Sequence, residues 1–401
     1  MRILYHHRTL GDGAEGIHVR EMVRAFRAEG HQVKVIGPAG ERPPEKSKSF
    51  RILDRLKKMI PAAIYELLEI GYSAYAFYLI RREMRVFKPD LIYDRYITFN
   101  AGTILAARKR GIPVYLEVNA PLALERSGEK DERLVFRKTA ARMESWICSN
   151  ANRTIVVSTP LKDYLESIGV PPYRCVVMPN GVDPVKFAPR QKQAALLQKL
   201  GVRESSFVVG FTGVLRAWHG IDLLLTAMSG LIKSGADACL VIVGDGPYRV
   251  TIEEIAAKLG LSDAVFITGR VAHEQVADLV SLFDVAVSPR ATFYASPMKV
   301  VEYMALGKAV VVPGTQNFLD MVDEGVNGVT FRDGDAADLE RVLGSLCNHR
   351  SRCVELGLGA RQKVEYRLNW RWNAVEVCRL FSEERVTATT AVSASSVVTE
   401  R

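Results

Sequence analysis

Along the chain, short runs dominated by valine and isoleucine alternate with longer segments in which apolar residues recur at helical spacing. The short runs stand at "ILYHH", "QVKVIGP", "LIYDRY", "VYLEVN", "TIVVS" and "CVVMPN", and again at "FVVGFTG", "CLVIVGDG", "VFITGR", "VAVSPR", "AVVVPG" and "GVTF". Apolar runs of this length, bounded by Gly, Pro and Asn, are strand signals, and their alternation with helices predicts βαβ units with parallel sheets. Two sets of six fit two Rossmann-like α/β domains in tandem. Between the sets, "MPNGVDPVKFAPRQKQ" is rich in turn formers and places a boundary near Asp183, giving domains over 1–183 and 184–365. "YRLNWRWNAVEVCRLF" predicts an amphipathic helix ending near residue 385, and the small hydroxylated residues of 386–401 predict a disordered tail.

Open α/β sheets bind ligands beyond the carboxyl ends of their strands, and two such domains face to face form a cleft. Chemistry is therefore expected on the loops that follow strands. The first of these contains "GDGAEG", Gly11 to Gly16, which spells the dinucleotide-binding pattern G-x-G-x-x-G. Its mechanism is missing. The second strand ends in Gly37 and Pro38, where that pattern needs an acidic residue for an adenosine ribose, and Asp12 and Glu15 put negative charge where a pyrophosphate would lie. The loop is better taken as a flexible lip whose glycines let backbone approach a ligand.

The sharpest segment is "SPRATFYASPMKVVEYMALGKAVVVP". Ser296 suits an N-cap and Pro297 a first helical turn, so a helix is expected to start there with free N–H groups that attract phosphate. Lys299 adds a full positive charge, and Glu302, three residues on, shares its helix face. The lysine suits a diphosphate and the carboxylate a ribose diol; the alternative is a solvated Lys/Glu pair. In "FTGVLRAWHGIDLLL", a turn at Gly213 leads to Arg216, which can fork onto phosphate oxygens, and to His219, which either binds phosphate or packs. Trp218 stacks on a ligand or anchors the surface. Gly244 in "VGDGPY" and Glu117 and Asn119 in "LEVNAP" also end strands, and His18 follows the glycine loop. These last three either position a sugar or acceptor hydroxyl or satisfy backbone groups.

Together, "GIHV" from Gly16, "GHQVKVI", "VVMPNGVDPVKF", "GVLRAWHGIDLLL", "IVGDGP" and "SPMKVVEYMALGKAVVVP" resemble the retaining glycosyltransferases of family 4, over nearly the whole chain to about residue 385. The resemblance implies the GT-B architecture, with acceptor binding on the first domain and a nucleotide-diphosphate sugar on the second. It implies that Glu302 holds the ribose, that Arg216 and Lys299 meet the diphosphate, that backbone near Gly16 approaches the phosphates, and that the terminal helix crosses back to the first domain. It implies metal-independent transfer with no cofactor besides the donor. There are departures. The first of the family's two glutamates falls at Tyr294, the phosphate-site lysine is His219, and a histidine after the fourth strand is Asn119. Retaining transfer on the donor's front face lets the leaving diphosphate take the acceptor's proton, so no nucleophile at Tyr294 is obligatory.

Composition refines this. With 401 residues, 48% of them hydrophobic, the chain is a globular protein too long for one core. Its charge of +9 admits an anionic substrate or an anionic membrane surface, and lacks the clustering with aromatics expected for nucleic acid. Six scattered cysteines and the absence of a secretory apolar region point to reduced thiols in the cytoplasm. The most apolar stretch, Ile60 to Ile80, carries Glu66 and Glu69 and is no membrane span. Its repeat of Ile60, Ile64, Leu67, Leu68, Tyr75 and Leu79 with basic flanks fits a core helix with solvated ends, or else a helix that brings the protein to an anionic membrane and a lipid-linked acceptor. Two other activities share these features: a sugar-nucleotide 2-epimerase, and a binding subunit without turnover.

Overall fold

A computed structural model describes residues 1–9, 13–38, 40, 60–128 and 134–398. The chain divides into two compact units, Met1–Met178 with Trp370–Arg401, and Pro179–Asn369. Each is built on a six-stranded, wholly parallel sheet.

In the first unit the strands β1 (Arg2–His6), β2 (Gln32–Ile36), β3 (Leu91–Arg95), β4 (Val114–Val118), β5 (Arg153–Val156) and β6 (Cys175–Val177) run in the order β2-β1-β3-β4-β5-β6. The second holds β7 (Phe207–Thr212), β8 (Ala238–Val243), β9 (Val265–Ile267), β10 (Val285–Val287), β11 (Ala309–Pro313) and β12 (Val329–Phe331), in the order β12-β11-β10-β7-β8-β9. Every strand coincides with one of the apolar runs. The winding reverses between β1 and β3 and between β7 and β10, and in such sheets a ligand crevice opens at that reversal, beyond the strand ends.

Both faces of the second sheet are covered, so successive residues of a strand enter different cores. Val208, Val241 and Val243 join one cluster with Val300, Tyr303 and Met304; Phe207, Val209, Phe211, Leu240 and Ile242 join the other with Leu224, Leu225 and Leu339. The β strand period of two is thereby preserved although the run looks uniformly apolar.

The helices that matter below are α1 (Ala14–Ala28), α2 (Ala62–Phe87), α3 (Gly102–Arg108), α4 (Ile221–Lys233), α5 (Met298–Ala305) and α6 (Trp370–Val398). Helix α6 packs on α1 within the first unit, with Arg371 paired to Glu29. It continues to Val398, past the end expected from its apolar period, and residues 399–401 lie outside the described region. All six cysteines are unpaired. No helix among the described residues is long and apolar enough to cross a membrane.

Helix α2 differs from the core helix expected of it. Ile64, Leu67, Leu68 and Tyr75 are exposed, whereas Glu66 and Glu69 are buried. The reason is that the carboxylates find partners inside: Glu66 accepts from the backbone N–H of Val135 and Phe136, and Glu69 pairs with Arg8 and Arg126.

Gly210, in the middle of β7, lies flat against the Phe283 ring, and a Cβ there would overlap the ring. Gly210→Ala is expected to destabilise the second unit by about 1–3 kcal/mol through overpacking, read as a lower urea midpoint with an unchanged m-value.

Candidate functional site

At the reversal point of the second sheet, the end of β7 meets the start of α5. Tyr303 fixes the two together: its phenol oxygen accepts from the backbone N–H of Thr212 at 2.6 Å and is 2.8 Å from the Thr212 hydroxyl. One helical turn earlier, Lys299 is carried against the loop after β7. Its Nζ lies 4.1 Å from the Phe211 ring centroid, is buried, and has no hydrogen-bond partner among the described residues. Gly213 makes room, since a Cβ there would come within 3.1 Å of this Nζ and its φ of +142° suits glycine. Gly244, also at positive φ, allows the loop after β8 to close on the Gly213 carbonyl.

The electrostatics follow from enclosure. Burial lowers the Lys299 ammonium to about 7, with Glu302 pulling the other way. Burial likewise raises the Glu302 carboxyl to about 7 against the pull of Lys186 and Lys299. His219 is lowered to about 4 by burial and then by Lys299, so at neutral pH it is an uncharged imidazole and not a second cation. It closes the one-turn helix Ala217–His219, with its ring 5.6 Å from that of Phe211. Arg216 and Trp218 are exposed, with the guanidinium 5.2 Å over the indole.

Ser296 is not the helix cap. Pro297 occupies that position and has no polar side-chain atom to offer, while the Ser296 hydroxyl accepts from the backbone N–H of Asn180, whose side chain also donates to the Ser296 carbonyl. The turn-rich linker thus braces the start of α5. Asn317 holds the preceding loop by donating to the carbonyls of Thr292 and Ala295, and Tyr294 in that loop packs edge-on to Phe293 at 5.2 Å. Tyr303, Thr212, Asn180 and Asn317 had no sequence signal of their own, since each acts through a contact far along the chain.

The first unit gathers a second group at the ends of β3 and β4. Glu117 is buried at the end of β4 and receives Arg95 Nη1 at 2.8 Å, with His18 Nδ1 at 2.9 Å and the Asn119 amide also on it. Burial alone would push this carboxyl up, but His18, Arg95 and the hydrogen bonds outweigh it and hold the group at about 2. The His18 ring packs on Trp370 at 4.6 Å, so the first residue of α6 forms a wall of this group. Arg95 was missed, because an arginine ending an apolar strand reads as a solvated terminus. Gly16 lies in the first turn of α1, its N–H bonded to the Gly13 carbonyl, while residues 10–12 of the glycine loop lie outside the described region. Gly37, where a dinucleotide site needs an acid, is packed against the His7 ring and has no room for a side chain.

The predicted residues therefore form two groups: Lys299, Glu302, His219, Gly213, Gly244, Pro297, Tyr294 and Arg216 on the second unit, and Gly16, His18, Glu117 and Asn119 on the first. Among the described residues no three His, Cys, Asp or Glu side chains are grouped to hold a metal ion.

Residues 15–186 match the profile of Glycosyltransferase Family 4 and residues 192–363 that of Glycosyl transferases group 1. Between them the two matches take in most of the chain. The chain belongs to glycosyltransferase family 4. It is 26% identical to the D-inositol 3-phosphate glycosyltransferase of Stackebrandtia nassauensis, over 92% of this chain and 87% of that one. It is 25% identical to the GDP-mannose-dependent alpha-mannosyltransferase of Corynebacterium glutamicum, over 86% and 81% respectively. Among solved structures, Anabaena HepE in complex with UDP superposes with a TM-score of 0.73 at 18% identity, covering 96% of this chain and all of that one. Sucrose-phosphate synthase of Thermosynechococcus elongatus gives 0.70 at 19% identity with 96% of this chain covered. This family 4 enzyme is a nucleotide-sugar-dependent glycosyltransferase of GT-B architecture.

The Glu117 carboxyl, lowered when folded, contributes stability that is complete above about pH 4.5 and lost as the pH falls towards about 2. Glu117→Gln is accordingly expected to cost about 3 kcal/mol near neutral pH by leaving the Arg95 guanidinium without its counter-charge, with the gap to the wild type closing through that acid window in urea titrations.

Proposed function

We propose that this enzyme moves a glycosyl residue from a nucleoside-diphosphate sugar to a hydroxyl of a glycan or lipid-linked glycan, with retention at the anomeric carbon. The observation that carries the proposal is the enclosed, unpartnered Lys299 ammonium beside Glu302 at the reversal point of the second sheet. A buried cation without an acceptor is a poor structural element and a good receptor for a diphosphate, which would supply the missing acceptors. Glu302 accepts the ribose hydroxyls, Arg216 meets the outer phosphate, and backbone near Gly213, Gly244 and Pro297 lies against the donor. His219 offers a neutral hydrogen bond. As the glycosidic bond to the diphosphate breaks, negative charge grows on the leaving oxygen, and Lys299 and Arg216 stabilise it; that assignment leaves the enzyme independent of a metal. On the first unit, His18 and Asn119, both held by Glu117, are assigned to a sugar or acceptor hydroxyl. With Tyr294 in place of a carboxylate, the acceptor proton passes to the leaving diphosphate and retention follows from attack on the face it vacates.

Lys299→Ala is expected to lower kcat about a hundredfold to a thousandfold, or about 3 kcal/mol, without lowering the melting temperature. Substantial residual turnover in a donor-consumption assay would remove Lys299 from its role. Because enclosure leaves Lys299 largely neutral above about pH 7, and phosphate favours the ammonium, binding of a nucleoside diphosphate at pH 8 is expected to take up close to one proton. Calorimetry in buffers of differing ionisation enthalpy measures this, and the uptake is expected to vanish in Lys299→Met.

A further inference from the structure

Helix α2 is 26 residues long, about 39 Å at the α-helical rise, and unlike an ordinary surface helix it carries apolar residues on both sides, burying Ala76, Ile80 and Met84 along with its glutamates. Its buried positions include Glu66, Glu69 and Glu83, which are all the acidic residues it has. Each carboxylate is satisfied inside or along the flank: Glu66 by two backbone N–H groups, Glu69 by Arg8 and Arg126, Glu83 by Lys34 and Arg82. At 100° per residue, positions 64, 68, 75, 78, 82 and 86 fall within about a quarter of the helix circumference, on the side away from Glu66 and Glu69 and with Glu83 on the flank. That row is Ile64, Leu68, Tyr75, Tyr78, Arg82 and Val86, with Leu68 61% exposed, Tyr78 70% and Val86 73%. The helix that follows, α3, lies on the opposite side, where Gly102 is in close contact with Ser73 and Phe77.

The outward row therefore has three properties together: continuous apolar surface, tyrosines in the middle, and charge of one sign. Arg82 and Arg85 are exposed near its end, Arg82 paired with Glu83 on the flank, and Lys88 caps it in the left-handed conformation. A contiguous apolar row of this length marks an interaction surface. Tyrosine suits a boundary between hydrocarbon and water, and the exposed Arg85 and Lys88 complement a surface that is itself anionic. We propose that the outward face of α2 docks the enzyme on an anionic lipid bilayer, lying in the plane of the interface with Ile64, Leu68, Tyr75 and Tyr78 in the headgroup and acyl boundary. With Glu66 and Glu69 bound to partners inside, neither carboxylate faces that negative surface. This docking is independent of the transfer chemistry, and its test does not need the acceptor.

The test is flotation of the full chain with phosphatidylcholine vesicles, with and without about one-third phosphatidylglycerol, at low and high salt. The wild type is expected to float with the anionic vesicles at low salt, to be released at high salt, and to stay behind with phosphatidylcholine alone. Leu68→Glu with Tyr78→Glu, both at exposed positions, is expected to reduce the floated fraction at least about tenfold with melting temperature and nucleotide binding unchanged. Absence of the wild type from the anionic vesicle fraction overturns the proposal, as does flotation of the double variant at the wild-type level. Sedimentation showing a wild-type dimer that the double variant converts to monomer would likewise overturn it, by assigning the face to a second copy of the chain.

Discussion

An ammonium group enclosed without an acceptor costs free energy, and the second unit is organised around holding one. Lys299 is brought to its place by α5, α5 is pinned to β7 through Tyr303 and Thr212, and the loop after β7 passes close to the lysine at Gly213, where a side chain would crowd it. Asn180 and Asn317 hold the approach to that helix from two other segments. None of these contacts compensates the charge itself. On the function proposed above, the partner of this cation is supplied by a ligand, which is the sense in which a binding site is preorganised.

The first unit treats its central charge the other way. Glu117 is buried as deeply, yet Arg95, His18 and Asn119 all converge on it, and the carboxyl stays ionised well into acid. A saturated carboxylate of this kind has little left to offer a substrate. Its physical work is to orient the groups bound to it, so that His18 and Asn119 present their remaining polar atoms in fixed directions. Trp370 adds a packing constraint on the same histidine, and thereby links the start of the terminal helix to the geometry of the group.

Helix α2 shows a third use of buried charge. Its three glutamates look in the sequence like the solvent side of an amphipathic helix, and its leucines and tyrosines like the core side. Periodicity reports that two faces differ without stating which one is inward. That choice is made by what waits on the inside, here the backbone N–H groups of Val135 and Phe136 and the guanidinium groups of Arg8 and Arg126, contributed by residues far away in the chain.

The sequence by itself determined the twelve strands, their parallel class and the loops that hold the candidate chemistry, because β-branched runs, turn residues and helix periods are local properties. It also ruled out a dinucleotide site at "GDGAEG", and the close packing of Gly37 on His7 supplies the steric reason for the missing acid. Only the tertiary structure decided that Ser296 braces Asn180 and caps nothing, that Arg95 belongs with Glu117, that His219 is held neutral, and that α2 turns its glutamates inward and leaves an apolar row exposed. Each of these depends on partners more than twenty residues away, and those at charged groups also on the loss of water that follows when the partners close around the charge.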